Sequence, residues 1–354
     1  MPIGTGPDVN TLGSPARKRG DSSLSIIVPC FNEAANLPGV HARLVEIAKK
    51  LRDQRGLRVE VLYIDDGSRD NTYAVACSLP ATAIDVQVLS LSRNFGKEAA
   101  LAAGLHHARH GALLFMDGDG QHSPALVEQL VSHWLDDGYD VIYTAKANRN
   151  AEPLTRRLMA KVFYALINFR ARYKLPEDAG DFRLLSPRAA NALRQMPERN
   201  RFFKGMASWI GFRQMRVDYE PAAREHGKTN WNIASLIGLS IEGLTSFSVA
   251  PLRVASLLGL ILATVALIFG ASILYETLVY GKSVPGYPSM AVGLMVLGGV
   301  QLIMIGVMGE YIGKILSEQK ARPVYFVADH HTRSADEKPQ DKATHPHARP
   351  DAAE

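Results

Sequence analysis

Two apolar runs, residues 254–275 and 290–308, constrain this chain more than any other feature in it. Each is about 20 residues, enough to cross a bilayer core of about 30 Å as a helix. Neither carries the polar stripe that a core helix of a water-soluble domain turns to solvent. Backbone in lipid must satisfy its own hydrogen bonds, so both runs are expected to be helical. The link between them, 279–288, holds a single cation, Lys282, whereas Arg253 precedes the first run and Lys314, Lys320 and Arg322 follow the second. The positive-inside bias then places both flanks in the cytosol and makes the link a short outer turn, with Tyr275, Tyr280 and Tyr287 near the interface. Gly293, Gly298 and Gly299 leave self-association of this hairpin into a homo-oligomer open, although small residues are common in membrane helices.

The remainder reads as a cytosolic domain with polar ends. Residues 1–23 contain Pro, Gly and the cluster Arg17-Lys18-Arg19 without an apolar stretch, which argues for a disordered arm and against a signal peptide. From about Asp329 to Glu354 almost no large apolar residue occurs, and disorder is expected there too. Its histidines (His330, His331, His345, His347) suit a solvated tail better than a metal site. Only Cys30 and Cys77 are present, so no disulfide framework is implied. The formal net charge of +5 is mild. It fits a membrane surface and phosphate-bearing small molecules, and gives no nucleic-acid signal.

The first half alternates strand and helix patterns: strands at 24–28, 58–64, 86–91, 113–116 and 141–143, with helical stretches between them. Alternation of this kind implies a doubly wound, largely parallel α/β sheet. Ligands of such sheets bind beyond the carboxyl ends of the strands. Here each end carries chemistry: Asn32 and Glu33, Asp65 and Asp66, Arg93 and Lys97, then Asp117, Asp119 and Gln121. In the run Asp117-Gly118-Asp119-Gly120-Gln121 a spacing of two along an extended exit aims three oxygen-bearing groups the same way. Two carboxylates and an amide suit a hard divalent cation such as Mg²⁺ or Mn²⁺. An isolated Asp-Gly turn is the plainer alternative. No G-x-G-x-x-G follows the first strand and no Walker A loop surrounds Lys97, which argues against a dinucleotide oxidoreductase and an NTPase.

Taken in order, Val28-Pro29-Cys30-Phe31-Asn32-Glu33, Ile64-Asp65-Asp66-Gly67-Ser68-Arg69-Asp70, Ser92-Arg93-Asn94-Phe95-Gly96-Lys97-Glu98 and Asp117-Gly118-Asp119-Gly120-Gln121 resemble the successive motifs of family-2 glycosyltransferases with a GT-A fold. The likeness extends through Asp178-Ala179-Gly180-Asp181-Phe182-Arg183-Leu184, Arg199-Asn200-Arg201-Phe202-Phe203-Lys204-Gly205 and Arg224-Glu225-His226-Gly227-Lys228-Thr229-Asn230-Trp231 into the paired spans. More narrowly, the chain is similar to polyisoprenyl-phosphate glycosyltransferases, the group of bactoprenol glucosyltransferases and dolichol-phosphate mannose synthases.

The resemblance implies a disordered arm at 1–23, a cytosolic GT-A domain at 24–229, an amphipathic interfacial helix region at 230–251, a two-helix membrane hairpin at 252–316 and a cytosolic tail at 317–354. It implies a multi-pass protein of the inner (cytoplasmic) membrane with both termini cytosolic. It further implies an inverting, metal-dependent transfer of a sugar from a nucleotide sugar to polyprenyl (undecaprenyl) phosphate. UDP-glucose is the expected donor; UDP-N-acetylglucosamine and GDP-mannose stay open.

A nucleotide-sugar site would be built from Pro29, Phe31, Asn32, Glu33, Asp65, Asp66, Ser68, Arg93, Lys97, Asp117, Gly118, Arg201, Arg224 and Lys228. Asp117, Asp119 and Gln121 would hold the metal. Asp119, Asp178 and Asp181 are the catalytic candidates, the last two positioning sugar or acceptor, or one of them serving as base. Arg201 with Lys204, or Arg224 with Lys228, would stabilise the diphosphate. Lys228 stands two positions earlier than the lysine in the family's usual loop, which puts its own role in doubt. Arg156, Arg157 and Lys161, on a basic amphipathic stretch, would grip the lipid phosphate. A processive polysaccharide synthase of the same fold would need a Gln-x-x-Arg-Trp motif and further spans. A catalytically silent scaffold would tolerate loss of the acidic cluster, which is intact here.

Overall fold

A computed structural model describes residues 23–118, 124–146, 179–199, 201–219, 250–281 and 286–335. Its centre is an eight-stranded sheet in the order β7-β5-β6-β4-β1-β2-β3-β8. The strands are β1 (Ser23–Cys30), β2 (Arg58–Asp65), β3 (Asp85–Leu91), β4 (Ala112–Phe115), β5 (Val141–Lys146), β6 (Ala179–Leu185), β7 (Gln214–Tyr219) and β8 (Val327–Arg333). β4, β1, β2 and β3 run parallel. β6 enters antiparallel between β4 and β5, β7 pairs parallel with β5, and β8 closes the far edge antiparallel to β3. The sheet is thus a parallel core with antiparallel additions on both flanks.

Strand alternation sorts the core into two layers. Ile26, Val28, Val61, Tyr63, Val86 and Val88 face α1 (Leu37–Arg55) and α4 (Pro124–Leu135), whose Leu44, Ile47, Leu130 and Trp134 pack on them. Ile27, Leu62, Ile64, Leu89 and Phe115 face the opposite layer, made of α3 (Lys97–His107), α5 (Pro187–Arg194) and α6 (Phe203–Trp209). A short α2 (Thr72–Ser78) follows β2. The small residues of α3 let it lie very close to β1: a Cβ on Gly104 would come within 2.2 Å of Ile27 Cγ2. This close seating fixes the height of Lys97 and Glu98 at the start of α3. α5 begins cleanly because the Ser186 side chain accepts from the Ala189 N–H and Pro187 occupies the first turn.

The two apolar runs are α7 (Ala250–Tyr280) and α8 (Tyr287–Gln319). Within them 254–280 and 292–319 are long and apolar enough to cross a membrane, and the most apolar stretch of each holds no buried residue. The start of the N-terminal arm, the interfacial region at 230–249 and the tail beyond 335 lie outside the described residues.

One expectation is corrected. The tail, expected to be disordered from about Asp329, instead supplies β8, whose residues 327–333 pair with β3. A ladder is built from backbone N–H and C=O groups, so it does not need the apolar side chains whose absence suggested disorder. Here His330 Nε2 meets Gln87 Oε1 at 3.0 Å, and Gln87 is tied by its Nε2 to the buried carboxylate of Glu60 at 2.8 Å.

Candidate active site

The loops that leave β1, β2, β3 and β4 at their carboxyl ends converge, and each holds the next. Asn32, at φ 57°, takes the left-handed conformation that asparagine tolerates better than most residues. Its N–H donates to Ser68 Oγ (2.9 Å), and the Arg69 N–H donates back to Asn32 Oδ1 (2.9 Å). The Glu33 N–H donates to Thr72 Oγ1 (2.9 Å). Asp65 is clamped by the Ser68 N–H (3.1 Å) and the Ser90 hydroxyl (3.1 Å). Phe31 stands 43% exposed at this rim, a free aromatic face of the kind that stacks on a planar ring.

Asp66 holds the loop after β3. Its two oxygens accept from the Phe95 N–H (2.8 Å) and the Gly96 N–H (2.9 Å). Burial pushes this carboxyl up, and those two donors draw it back toward the ionised form. Gly67, at φ +65°, lets the two loops touch: a Cβ there would lie 2.4 Å from the Arg93 carbonyl carbon. With both oxygens engaged inside the protein, Asp66 shapes the loop that carries Arg93 and Lys97. Arg93 lies over the Phe95 ring, 4.6 Å from its centroid.

Charge is concentrated where this loop meets β4 and β6. Lys97 Nζ is 2.5 Å from Asp117 Oδ1 and 2.6 Å from Asp181 Oδ2, and Lys204 Nζ is 3.1 Å from Asp181 Oδ1. Burial would raise the pKa of Asp181, but Lys204 and Lys97, helped by Arg183, outweigh it and hold the carboxyl well below the usual range. Burial likewise opposes the charge of Lys97, and Asp181 and Asp117 overcome it to keep the ammonium protonated. Both β6 and α6 are pinned for this purpose. Arg183, buried, donates to the carbonyls of Gly180 (2.9 Å) and Phe203 (3.3 Å). Glu98 Oε2 accepts the Phe203 N–H (2.8 Å), and the rings of Phe203 and Phe115 pack at 5.0 Å.

The family model for glycosyl transferase family 2 matches residues 25–194. The chain is 39% identical over 304 residues to the prophage bactoprenol glucosyl transferase homolog of Escherichia coli (strain K12), covering 86% of this chain and 98% of that one. It is equally similar, over 308 residues, to the SfII prophage-derived bactoprenol glucosyl transferase of Shigella flexneri, with 87% and 98% covered. An uncharacterized glycosyltransferase of Synechocystis sp. is 39% identical over 306 residues, 86% of this chain and 95% of that protein.

The chain belongs to glycosyl transferase family 2.

Among solved structures, glucosyl-3-phosphoglycerate synthase from Mycobacterium tuberculosis, in complex with Mg²⁺ and UDP, aligns with a TM-score of 0.43 and 18% identity, covering 64% of this chain and 79% of that one.

Of the residues singled out in this family 2 glycosyltransferase, the fold brings Lys97, Asp117 and Asp181 together, and sets Asn32, Glu33, Asp65, Asp66, Ser68 and Arg93 around the adjoining strand ends. Pro29 and Gly118 lie at the ends of β1 and β4. Arg201 is not brought to this cluster. Its Nε donates to the Glu198 carbonyl at 3.0 Å, and the side chain lines a separate cavity of about 300 Å³ with His106 and Tyr325. Lys204, three residues on and inside α6, takes the place beside Asp181. Asp119, Gln121, Asp178, Arg156, Arg157, Lys161, Arg224 and Lys228 lie outside the described residues. Sequence reasoning passed over Glu98, Arg183 and Ser90, which act through backbone groups and through Asp65; the alternation of charge in Asp181-Phe182-Arg183 was the available signal.

The donor chemistry at Asp117 suits a divalent cation. Asp117 is a hard oxygen ligand whose side chain is about a third exposed. That chemistry fits the group. Among the described residues no cluster of three metal-ligating side chains occurs.

Proposed function

We propose that the protein transfers a sugar, glucose from UDP-glucose in the first instance, to a polyprenyl phosphate such as undecaprenyl phosphate. The observation that carries this reading is the chain of charges Asp117–Lys97–Asp181–Lys204 at the strand ends, in a protein that also holds two membrane-length helices. The C-terminal end of α8 is bound to the α/β domain: the Arg199 N–H donates to Glu318 Oε1 at 2.9 Å. A site in such a protein suits a lipid acceptor, and the relatives named bactoprenol glucosyl transferases support a bactoprenol acceptor and a glucosyl group. The positive flanks of α7 and α8 support a multi-pass protein of the inner membrane with its catalytic domain and both termini in the cytosol.

In the reaction an oxygen of the lipid phosphate forms a bond to the anomeric carbon from the face opposite the leaving group. The anomeric carbon–oxygen bond breaks, and its electron pair leaves on the nucleotide diphosphate, so configuration inverts. When bound, Mg²⁺ or Mn²⁺ supplies positive charge to the departing diphosphate, and Asp117, Asp119 and Gln121 would hold it. Lys97 and Lys204 add fixed positive charge on the protein side. A phosphate monoester has a second pKa of about 6, so the nucleophile is already largely ionised at neutral pH. Asp181, held deprotonated by two ammonium groups, is a weak base, and its role is to orient the two lysines and the sugar hydroxyls.

Release of nucleotide diphosphate by the purified protein in detergent tests this. UDP-glucose, UDP-N-acetylglucosamine and GDP-mannose are supplied in turn, each with and without undecaprenyl phosphate and Mg²⁺. Release that requires both lipid and metal with UDP-glucose is the expected result. Release with another donor reassigns the sugar, and none with any donor, from folded protein, overturns the transferase reading in favour of a silent scaffold.

A further inference from the structure

Seven residues, 320–326, lead from the end of α8 to the start of β8, and they run across the catalytic domain. The crossing is anchored at its root: Arg199 Nε donates to the Arg322 carbonyl at 3.1 Å, next to the bond from its N–H to Glu318. Ala321 takes φ 51°, a left-handed conformation that residues with a Cβ rarely adopt. Such a conformation persists only where its surroundings over-determine it. Midway, the Tyr325 ring packs 6.4 Å from His106 and 6.1 Å from His107 on α3. At the far end the Phe326 carbonyl accepts the Ser92 N–H at 2.9 Å, and the Phe326 ring lies 6.3 Å from Phe95. β8 then locks onto β3 from Leu91↔Val327 to Val86↔Arg333.

The loop so gripped, 92–96, is the one that presents Arg93 and opens into Lys97. It is held from beneath by Asp66 through Phe95 and Gly96, and from the side by Phe326 through Ser92 and Phe95. Arg93 stacks on the same Phe95 ring that Phe326 supports. We propose that this crossing segment is a strap tying the nucleotide-binding loop to the end of the membrane hairpin, and that Phe326 is a positioning residue for Arg93 and Lys97. The inference rests on the reading that this loop receives the nucleotide diphosphate. A strap of this kind acts on binding: without it the loop must be ordered by the nucleotide itself, and the ordering cost appears as weaker affinity.

The test uses the full chain in detergent or nanodiscs. Phe326→Ala is expected to raise KM for the nucleotide sugar and Kd for the free nucleotide diphosphate about three- to tenfold, with kcat within about twofold. Amides of 92–96 should exchange with deuterium faster while those of β1 and β2 do not. Phe326→Leu, which keeps an apolar side chain on Phe95 and guards against a fold defect in the alanine variant, should restore most of the affinity. Unchanged KM and unchanged exchange at 92–96, or a fall in Tm and kcat with KM constant in both variants, would overturn the strap. Lys97→Met tests the underlying reading separately. If it leaves nucleotide affinity and transfer intact, the loop is not the diphosphate site, whatever Phe326 does.

Discussion

Lys97 Nζ lies 2.6 Å from Asp181 Oδ2, joining the first turn of α3 to β6 across 84 positions of sequence. The same nitrogen reaches Asp117 on the exit of β4 at 2.5 Å, so one ammonium carries two carboxylates. Lys97→Met should lower the rate of transfer by about 10²–10³-fold, the usual cost of deleting a charge aimed at a transition state. Lys97→Arg should recover little, because a planar guanidinium cannot occupy the point between two carboxylates that a compact ammonium fills. Single-turnover formation of the glycolipid, with far-UV circular dichroism as the folding control, measures both.

Asp66→Asn retains the shape of the side chain but faces one of two backbone donors with an amide NH₂. The Phe95 or the Gly96 N–H then loses its acceptor inside the protein. The expected cost is about 1–3 kcal/mol of stability, with a weaker nucleotide affinity because the loop bearing Arg93 loosens. Thermal melting and nucleotide calorimetry on the same preparation report the two effects. Asp66→Ala should bind nucleotide no better than Asp66→Asn, since neither variant supplies both acceptors.

The parallel core and the polar strand ends are legible in the sequence for a physical reason. β1, β2 and β3 are buried on both faces and read as mostly apolar runs, interrupted by Ser25, Glu60, Gln87 and Ser90, that stop at Asn32, Asp65 and Ser92. β8 is not legible, because Val-Ala-Asp-His-His-Thr-Arg contributes mainly backbone hydrogen bonds to a sheet edge and leaves most side chains exposed. The same blindness separates Lys204 from Arg201. Both are cations in one motif, and only the extended residue Phe202 before α6 sends one toward Asp181 and the other toward Tyr325. Asp66 is the converse case: as a motif residue it looks like a ligand to the nucleotide, and each of its oxygens also accepts a backbone amide of the neighbouring loop.

Acid should release the strap before it unfolds the domain. Burial holds His106, His107 and His330 below the ordinary histidine value of 6.5, assisted by Arg201 beside His106, by His330 beside His107, and by Arg109 and His331 beside His330. A depressed pKa in the docked state means that docking is fully favoured above about 6.5 and is lost as pH falls through the lower docked values. Deuterium exchange of 323–333 should therefore accelerate between pH 7.5 and pH 5.5 while α4 stays protected. His330→Gln should flatten that response, since a glutamine retains a donor for Gln87 and does not titrate. An exchange rate at 323–333 that follows only the intrinsic chemical pH dependence would show that these histidines do not govern docking.

Gly67 and Gly56 share φ +65° and differ in everything around them. A Cβ at Gly56, the left-handed cap of α1, meets nothing within 4 Å, whereas one at Gly67 falls 2.4 Å from Arg93 C and 2.6 Å from Asn94 N. Gly56→Ala should therefore cost only the conformational strain, about 1–2 kcal/mol, and leave nucleotide affinity unchanged. Gly67→Ala carries the same strain and must also push apart two backbone segments that Asp66 binds together. Backbone atoms cannot move aside as a flexible side chain would, so the loop after β3 shifts and carries Arg93 and Lys97 with it. The expected result is at least a tenfold loss of nucleotide affinity, beyond what the fall in Tm shared with Gly56→Ala explains. Equal affinities in the two variants would mean that the loop after β3 tolerates displacement, and that contact between the two loops does not set the nucleotide site.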